Sequence, residues 1–364
     1  MRILVTSPYP VWPADSGPAV RTSSIARALS EIGHQVTVLH CGRPVPTHDA
    51  HAPRSHEYER RGRFGHFFNR DFRRVYREAL AERPALVVSS YPYQALMLLG
   101  PAARARVPIV YDAQNVEARR FRDLGRPWRA RLVRRMESRL CARARAVLAV
   151  TAEDQRLLER DYRCRTILLP NGVDVERFCP APPDEGLVAR YGLAGRRIVL
   201  YFGALDYPPN LDALRFLLRE AWPLLRRRVP SAALLVVGRR PPEWARIPGV
   251  VVTGSIDDIV AHVRLAHVVA VPLRAGGGMR LKIVEALACG QTVLSTPFGA
   301  TGFPSSEEGG LRRAGLEHFA SRLVELLDDP SPPGSNAAAR RLAMPFDWRR
   351  LVAAVDWEAL ASPV

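Results

Sequence analysis

The sequence is almost devoid of lysine: of its 53 basic residues, 52 are arginine and one, Lys282, is lysine. With 36 acidic residues the net charge is +17, which suits nucleic acid, an anionic membrane or a phosphorylated substrate. A lineage that uses arginine wherever any cation serves would produce the same excess, so charge alone does not choose the partner. Lys282 stands out because it lies in the most glycine-rich stretch of the chain.

Cysteine and long apolar runs are also scarce. The five cysteines are scattered, with neither a Cys-x-x-Cys pair nor a histidine at zinc-ligand spacing, which predicts reduced structural thiols and no zinc motif. No run approaches the roughly 18 apolar residues that cross a bilayer, and the apolar run at residues 3–5 is too short for a signal-peptide core. These absences predict a cytoplasmic protein.

What the chain has is an ordinary globular composition, 47% hydrophobic and 24% charged, over 364 residues, which excludes global disorder and predicts two domains. Short apolar strands alternate with helical stretches in both halves, the pattern of parallel sheets covered on both faces. Predicted strands are residues 2–6, 35–39, 85–89, 107–111, 146–150, 166–169, 198–202, 233–237, 250–252, 268–271 and 292–295. Predicted helices include residues 23–32, 210–225, 257–265 and 281–289, and a last helix at 346–360.

The sequence therefore predicts an α/β fold of two doubly wound sheets. A turn-rich segment at residues 170–174 puts the boundary near 175, giving domains 1–175 and 176–345 and a C-terminal helical segment, 346–364, that carries Trp348 and Trp357. The adjacent Asp257 and Asp258 are interpreted as an acidic helix start rather than a metal site.

The segment at residues 274–285 directly follows a predicted strand and has the composition of an anion site. Three glycines, Gly276, Gly277 and Gly278, let backbone N–H groups approach a ligand, while Arg280 and Lys282 place two cations at the start of the next helix. A diphosphate fits this arrangement. Glu285, one turn into the helix, offers oxygens that could accept two vicinal ribose hydroxyls.

These residues resemble the donor-binding region of the family 4 (group 1) glycosyltransferases. The resemblance rests on Gly-Gly-Gly-Met-Arg-Leu-Lys-Ile-Val-Glu at residues 276–285, with its continuation to Phe303. Further matches are the segments at residues 13–21, 112–117, 171–174 and 203–206. The family implies the GT-B fold, two Rossmann-like domains facing a cleft, with the final helix crossing back to the N-terminal domain. It also implies acceptor binding by the first domain and nucleotide-sugar binding by the second.

The implied reaction is sugar transfer from a nucleotide-diphosphate sugar to a glycan, a lipid-linked or a small-molecule acceptor. Configuration is retained without a covalent enzyme intermediate, a metal or a cofactor. By resemblance, Arg280, Lys282 and Gln114 are the catalytic residues, and Asp112, Asn115 and Asn171 are acceptor or interdomain residues. The expected donor-binding residues are Gly17, Gly203, Gly276, Gly277, Gly278, Met279 and Glu285.

The chain departs from the family pattern at three places. Gly277 stands where a first glutamate is common, and Gln114 stands where a histidine often lies. Asp206 and Asn210 occupy the loop that usually carries an arginine and a lysine, so Arg280 and Lys282 are expected to supply those cations.

Two basic blocks, residues 54–77 and 119–145, leave the partner open. The second block has helical spacing through Trp128, Leu132, Met136 and Leu140, which predicts an amphipathic helix with a cationic outer face. That face is either solvated or in contact with an anionic lipid or acceptor, which would put the protein at the inner face of the membrane.

Two other functions remain open from the sequence. One is a nucleotide-sugar hydrolase or epimerase of the same fold. The other is a basic nucleic-acid-binding protein, against which the sequence lacks helix-turn-helix spacing, zinc ligands and an RNP-like aromatic motif.

Overall fold

The fold is that of a computed structural model, which describes residues 1–42, 53–59, 67–304, 309–329 and 331–362. The chain divides into two compact units. The N-terminal unit comprises Met1–Asn171 with Trp348–Val364, and the C-terminal unit comprises Gly172–Asp347.

The N-terminal unit is built on a seven-stranded sheet in which all neighbours are parallel, in the order β3-β2-β1-β4-β5-β6-β7. Its central strands are continuous apolar runs because helices cover both faces. The strands are β1 Arg2–Ser7, β2 Gln35–Cys41, β3 Arg54–Tyr58, β4 Leu86–Ser90, β5 Ile109–Ala113, β6 Ala146–Ala149 and β7 Thr166–Leu168. The helices are α1 Gly17–Glu31, α2 Arg70–Ala81, α3 Ala95–Ala105, α4 Glu117–Asp123, α5 Pro127–Cys141 and α6 Ala152–Tyr162.

The helix predicted through the second basic block is in fact two helices. Gly125, with φ of +68°, lies between α4 and α5, and Pro127 begins α5 because its missing N–H is harmless in a first turn. The prediction that Trp128 lies on the apolar face was wrong: the buried face of α5 passes through Ala130, Val133, Met136 and Leu140, and Trp128 is 63% exposed.

The C-terminal unit is built on a six-stranded parallel sheet in the order β10-β9-β8-β11-β12-β13. Its strands are β8 Arg197–Phe202, β9 Ala232–Val237, β10 Val250–Gly254, β11 Val268–Val271, β12 Thr292–Ser295 and β13 Leu311–Arg313. Its helices are α7 Glu185–Arg190, α8 Pro208–Phe216, α9 Trp222–Arg228, α10 Ile259–Arg264, α11 Leu281–Ala288, α12 Leu316–Asp328 and α13 Ala337–Ala343. Short 3₁₀ turns lie at Glu243–Ala245 and Met344–Phe346.

The helix predicted at residues 210–225 is interrupted by a π-helical turn, Leu217–Ala221, between α8 and α9. Pro223 follows this turn and cannot donate a backbone hydrogen bond, so the regular ladder of the helix is displaced ahead of it. The segment remains amphipathic because both flanking helices bury large apolar side chains, Leu214 and Phe216 in α8 and Trp222 and Leu225 in α9.

The C-terminal segment groups with the N-terminal unit. The single helix predicted at residues 346–360 is two short helices, α14 Trp348–Ala353 and α15 Trp357–Ala361, because the Asp356 side chain accepts from Ala359 N–H at 2.9 Å and starts a new helix. The unit boundaries lie at 171 and 347 rather than at the predicted 175 and 345. Val173 N–H donates to the Phe346 carbonyl at 2.8 Å, which joins the beginning and the end of the C-terminal unit.

Candidate functional site

The candidate site in the C-terminal unit lies at the carboxyl ends of β8 and β11, where loops lead into α8 and α11. Parallel sheets bind ligands at this edge because several loops and helix N-termini converge there. The glycine-rich segment lies in the loop between β11 and α11, and Gly203 directly follows β8.

Lys282, in the first turn of α11, reaches the end of β8. Its Nζ donates to the Phe202 carbonyl at 2.6 Å and lies 3.5 Å from Asn210 Oδ1. The ammonium also lies 5.1 Å from the centre of the Tyr201 ring, within cation–π range. Burial lowers the pKa of Lys282 to about 7, and the charge of Arg280 acts in the same direction.

Gly203 is required where Lys282 meets the strand end. Its φ of +148° is a backbone conformation that favours glycine, and a Cβ there would lie 2.9 Å from Lys282 Nζ. Gly238, at the end of β9, supports the same loop so closely that a Cβ on it would lie 2.0 Å from the Gly203 carbonyl oxygen. The position of the ammonium therefore depends on two residues without side chains.

Arg280 folds back over its own loop. Its Nη1 donates to the Gly278 carbonyl at 2.8 Å and to the Gly277 carbonyl, and its guanidinium lies 5.4 Å from the centre of the Phe298 ring. Arg280 therefore fixes the glycine loop as well as placing a positive charge at the start of α11. The side chain of Met279 is only 4% exposed and packs in the core, so only its backbone can serve the site.

Glu285 lies one turn along α11 from Lys282, at i,i+3 spacing, so both project from neighbouring positions on one helix. Burial raises the pKa of Glu285 to about 7, while the charges of Arg177 and Lys282 oppose the shift. Within the part of the chain that the structure describes, the Glu285 carboxylate has no hydrogen-bond or ion-pair partner. Its oxygens are available to hydroxyl donors.

Two residues at the start of α8, its N-cap Tyr207 and Asn210 in its first turn, complete this site, and the sequence did not assign either of them a role. Asn210 Nδ2 donates to the Ala204 carbonyl at 2.9 Å and holds the loop in which Gly203 lies. The hydroxyl of Tyr207 lies 3.5 Å from where a Cβ on Gly276 would be, which puts it beside the glycine loop. Only the Pro-Pro pair that starts α8 marks this segment in the sequence, and it signals a helix start rather than a ligand.

The predicted residues of the N-terminal unit form a second cluster, at the carboxyl end of β5. Arg21, buried on α1, donates from Nε and Nη2 to Asp112 Oδ1 at 2.9 and 2.7 Å and from Nη1 to Asn171 Oδ1 at 3.0 Å. Gln114 Nε2 donates to Thr22 Oγ1 at 3.1 Å and contacts Asp112 Oδ2 at 3.3 Å. The structure thus brings Asp112, Gln114 and Asn171 together around Arg21, which sequence analysis placed only at the end of a loop.

Asn115 and Gly17 lie next to members of this cluster along the chain: Asn115 follows Gln114, and Gly17 lies one turn before Arg21 on α1. The side-chain Oδ1 of Asn115 is buried and, within the described ranges, has no hydrogen-bond partner. Gly17 is the exposed first residue of α1, whose N-cap, Ser16, makes no side-chain capping bond. Both keep polar atoms that a ligand could satisfy.

Glu137, on α5, holds the start of α4, the helix that follows Gln114 and Asn115 in the chain. The carboxylate accepts from the N–H groups of Glu117 and Ala118 at 3.0 and 3.2 Å. It also accepts from the hydroxyls of Tyr111 and Tyr162 at 3.1 and 2.6 Å. Burial raises the pKa of Glu137 to about 7, against the effect of these donors.

The described residues contain no group of three or more His, Cys, Asp or Glu side chains placed to hold a metal ion. Asp258 is the N-cap of α10, accepting from Val260 N–H at 3.0 Å, and pairs with Arg177 at 3.0 Å. The acidic helix start predicted at this position is therefore present. Across the described ranges, every helix is too short or too polar to span a bilayer.

Two family models match the chain one after the other, each on one unit. Residues 16–177 match Glycosyltransferase Family 4, and residues 196–329 match Glycosyl transferases group 1. The chain belongs to this glycosyltransferase family. Together the matched segments contain both clusters of polar residues, from Gly17 to Asn171 and from Gly203 to Glu285.

The chain resembles several curated relatives over part of their length. It is 31% identical over 196 residues to a GDP-mannose-dependent alpha-(1-6)-phosphatidylinositol monomannoside mannosyltransferase of Mycolicibacterium smegmatis, covering 48% of this chain and 50% of the relative. It is 30% identical over 245 residues to a D-inositol 3-phosphate glycosyltransferase of Nocardiopsis dassonvillei, covering 60% of this chain and 56% of the relative. The chain spans about half the length of the curated relatives it matches.

Solved structures confirm the predicted GT-B fold class. HepE from Anabaena, in complex with UDP and glucose, superposes with a TM-score of 0.77 over 100% of both chains at 17% identity. Sucrose-phosphate synthase from Thermosynechococcus elongatus superposes with a TM-score of 0.73 over 99% of this chain and 96% of that one at 20% identity. At these identities the likeness concerns the fold alone.

Proposed function

We propose that this glycosyltransferase moves a sugar from a nucleotide-diphosphate sugar to an acceptor hydroxyl with retention of configuration. The observation that supports it best is the arrangement on α11. The ammonium of Lys282 lies against the end of β8, Glu285 lies one turn further along the helix, and the glycine loop precedes both. A diphosphate and a ribose are the two ligand groups that these side chains suit chemically.

In this proposal the diphosphate lies between the glycine loop and the start of α11. Backbone N–H groups of Gly276, Gly277 and Gly278 approach its oxygens, and Lys282 and Arg280 neutralise the charge that develops as the sugar–phosphate bond breaks. Removing one such preorganised group typically costs about 3 to 4 kcal/mol of transition-state stabilisation. The chain supplies this charge itself, so the reaction proposed here needs neither a metal nor a cofactor.

Recognition of the nucleoside is assigned to Glu285. An ionised carboxylate accepts hydrogen bonds from the two vicinal hydroxyls of a ribose, and the side chain has no other partner within the described ranges. The backbone of Gly203 completes the proposed donor contacts within the C-terminal unit. The relatives' names mention GDP-mannose and a solved neighbour holds UDP, so guanosine and uridine donors are the first candidates.

The acceptor is assigned to the cluster around Asp112 in the N-terminal unit. Gln114 and Asn115 offer amide groups that orient hydroxyls, and Gln114 cannot titrate, so it acts through a hydrogen bond and not as a general base. The two relatives described above are named for a phosphatidylinositol mannoside and an inositol phosphate. We therefore propose a lipid-linked or phosphorylated polyol acceptor, met by a cytoplasmic protein at the inner face of the membrane.

A donor screen tests this proposal. GDP-mannose, UDP-glucose and UDP-N-acetylglucosamine are each incubated with and without a phosphatidylinositol or inositol phosphate acceptor, and nucleotide release and the anomeric configuration of the product are measured. Acceptor-dependent release with retention supports a transferase. Equal release without acceptor indicates a hydrolase, and a new nucleotide sugar without release indicates an epimerase. Added EDTA should leave the transfer rate unchanged.

A further inference from the structure

Helix α5 carries an exposed stripe of one aromatic and three arginine side chains. Trp128, Arg131, Arg135 and Arg139 follow one another at spacings of three, four and four residues, which puts all four on one face of the helix. This face is opposite the buried face, and all four residues are exposed. We refer to these four residues as the α5 stripe.

The α5 stripe has no internal charge compensation. Across the described ranges, no acidic side chain forms an ion pair with Arg131, Arg135 or Arg139, and the one acidic residue within α5, Glu137, is buried on the opposite side. Some exposed arginines of other helices do pair, such as Arg74 with Glu78. Like charges at i,i+4 destabilise a helix, so the stripe carries a cost that an anionic partner would remove.

A preference for arginine over lysine does not account for the stripe. That preference explains which cation is used, but it explains neither the missing carboxylates nor an indole exposed to 63%. The guanidinium of Arg129 lies 4.9 Å from the centre of the Trp128 ring, so the indole is held beside further positive charge. Leu124, just before α5, adds an exposed apolar side chain at the same end.

The partner that this chemistry fits is an anionic lipid bilayer. An open surface pocket of about 530 Å³ is lined by Arg131, Arg134, Arg135, Ser138 and Arg139, and offers lipid phosphates a cationic surface. Tryptophan favours the interface between lipid head groups and acyl chains, where its ring is apolar and its N–H remains hydrogen-bonded. Nucleic acid would meet the same charge and would stack on the indole, but it has no use for the exposed leucine beside it.

We propose that the α5 stripe docks the enzyme onto an anionic membrane. The inference rests on the proposed function, since it gives the lipid-linked acceptor a surface at which the enzyme meets it. Each arginine near an anionic surface contributes about fivefold in affinity, so three together supply about 100-fold, and the indole adds an attraction that salt does not screen.

Vesicle co-sedimentation tests the proposal. The full chain should bind vesicles with about 30 mol% phosphatidylglycerol in phosphatidylcholine, bind pure phosphatidylcholine at least about tenfold more weakly, and lose most binding near 0.5 M salt. Replacing Arg131, Arg135 and Arg139 together by Gln should weaken binding at least about tenfold. The matched control replaces the exposed Arg226, Arg227 and Arg228 of α9 by Gln, removing the same charge, and should change binding less than about twofold.

A second pair of variants tests the indole. Trp128→Ala should weaken vesicle binding at least about threefold, whereas Trp244→Ala, at another exposed tryptophan, should not. Equal losses in the two arginine variants, or a wild-type affinity in the stripe variant, would overturn the proposal. So would a single-stranded RNA that binds more tightly than the vesicles and loses binding only in the stripe variant.

Activity measured separately distinguishes this inference from the proposed function. The stripe variants should keep wild-type nucleotide release with an acceptor dispersed in neutral detergent, because the stripe contains no donor or acceptor contact. Lipid binding by an enzyme that turns over no donor would refute the proposed function but not the docking surface. Turnover without stripe-dependent lipid binding would refute the docking surface but not the proposed function.

Discussion

Arg21 Nη2 lies 2.7 Å from Asp112 Oδ1, and each side chain is only 1% exposed. The same guanidinium donates to the carbonyl of Pro170 at 3.2 Å, and it lies 5.9 Å from the centre of the Trp348 ring. One buried cation therefore connects α1, the end of β5, the last residues before the boundary and the C-terminal segment, all within the N-terminal unit.

Arg21→Met should destabilise the N-terminal unit by about 3 to 5 kcal/mol, because it leaves the Asp112 carboxylate buried without its cation. Arg74→Met removes an exposed ion pair from α2 and should cost less than about 1 kcal/mol. Urea denaturation of both variants gives the comparison. A loss for Arg21→Met no larger than that for Arg74→Met would show that Asp112 is solvated.

Lys282→Arg should lower turnover at least about tenfold, or 1.4 kcal/mol, although it conserves the charge. The ammonium is enclosed by the Phe202 carbonyl, Asn210 and the backbone of Gly203, and a planar guanidinium is broader than this space. Steady-state nucleotide release measures the effect, with Lys282→Met expected to be worse. Wild-type turnover of Lys282→Arg would move the leaving-group role to Arg280 alone.

Binding of a nucleoside diphosphate should take up a proton above neutral pH. With a pKa of about 7, Lys282 is mostly neutral near pH 8 in the free enzyme, and an adjacent diphosphate favours its charged form. Diphosphate affinity should then fall by up to about tenfold per pH unit above 7. Calorimetry near pH 8 in two buffers of different ionisation enthalpy measures the uptake.

The same calorimetric experiment can separate the proton taken up by Lys282 from any proton on Glu285. Glu285, also with a pKa of about 7, is mostly ionised near pH 8 and should add little to the proton count. Lys282→Met should abolish the uptake while the protein stays folded. If uptake is unchanged in that variant, another group carries the proton.

Glu285→Ala should weaken donor binding by about 2 to 3 kcal/mol, the cost of losing hydrogen bonds to a charged group. Its thermal midpoint near pH 8 should not fall. Because the pKa of Glu285 is raised to about 7 in the folded state, this carboxyl reduces the stability of the protein as the pH rises from its unfolded-state pKa to about 7. The reduction persists above pH 7, so removing the carboxyl should remove that destabilisation. Titration with nucleoside diphosphate and differential scanning calorimetry measure the two effects. Unchanged affinity would refute the ribose assignment.

The sequence predicted the sheets far better than it predicted the contacts. Strands β11 and β12 have the predicted bounds because each is a short apolar run ending at a Pro or Thr-Pro turn. By contrast, nothing in a chain with 52 arginines marks Arg21 as buried, since its partners Asp112 and Asn171 are 91 and 150 residues away. The π-helical turn before Trp222 and the exposed Trp128 likewise depend on neighbours that periodicity does not specify.

In the candidate donor site, the glycine and cation pattern indicated the position of the loop but not the direction of its side chains. Lys282 reaches the end of β8, which depends on the missing side chains of Gly203 and Gly238, two residues that follow strands distant in sequence. Arg280 turns back onto its own loop. Tyr207 enters the site only because the loop after β8 passes beside Gly276.

The i,i+3 spacing of Lys282 and Glu285 has a consequence for evolution and for engineering. The two side chains proposed to bind the diphosphate and the ribose of the donor lie on one short helix. Arg340 of α13 holds the last turn of this helix by donating to the Ala288 carbonyl at 2.8 Å. The distance between the two side chains is therefore set by the helix and does not change when the surrounding loops change in sequence or length. Every nucleoside-diphosphate sugar carries both a diphosphate and a ribose, so Leu281–Ala288 can stay constant while residues outside this helix change the selectivity among donors.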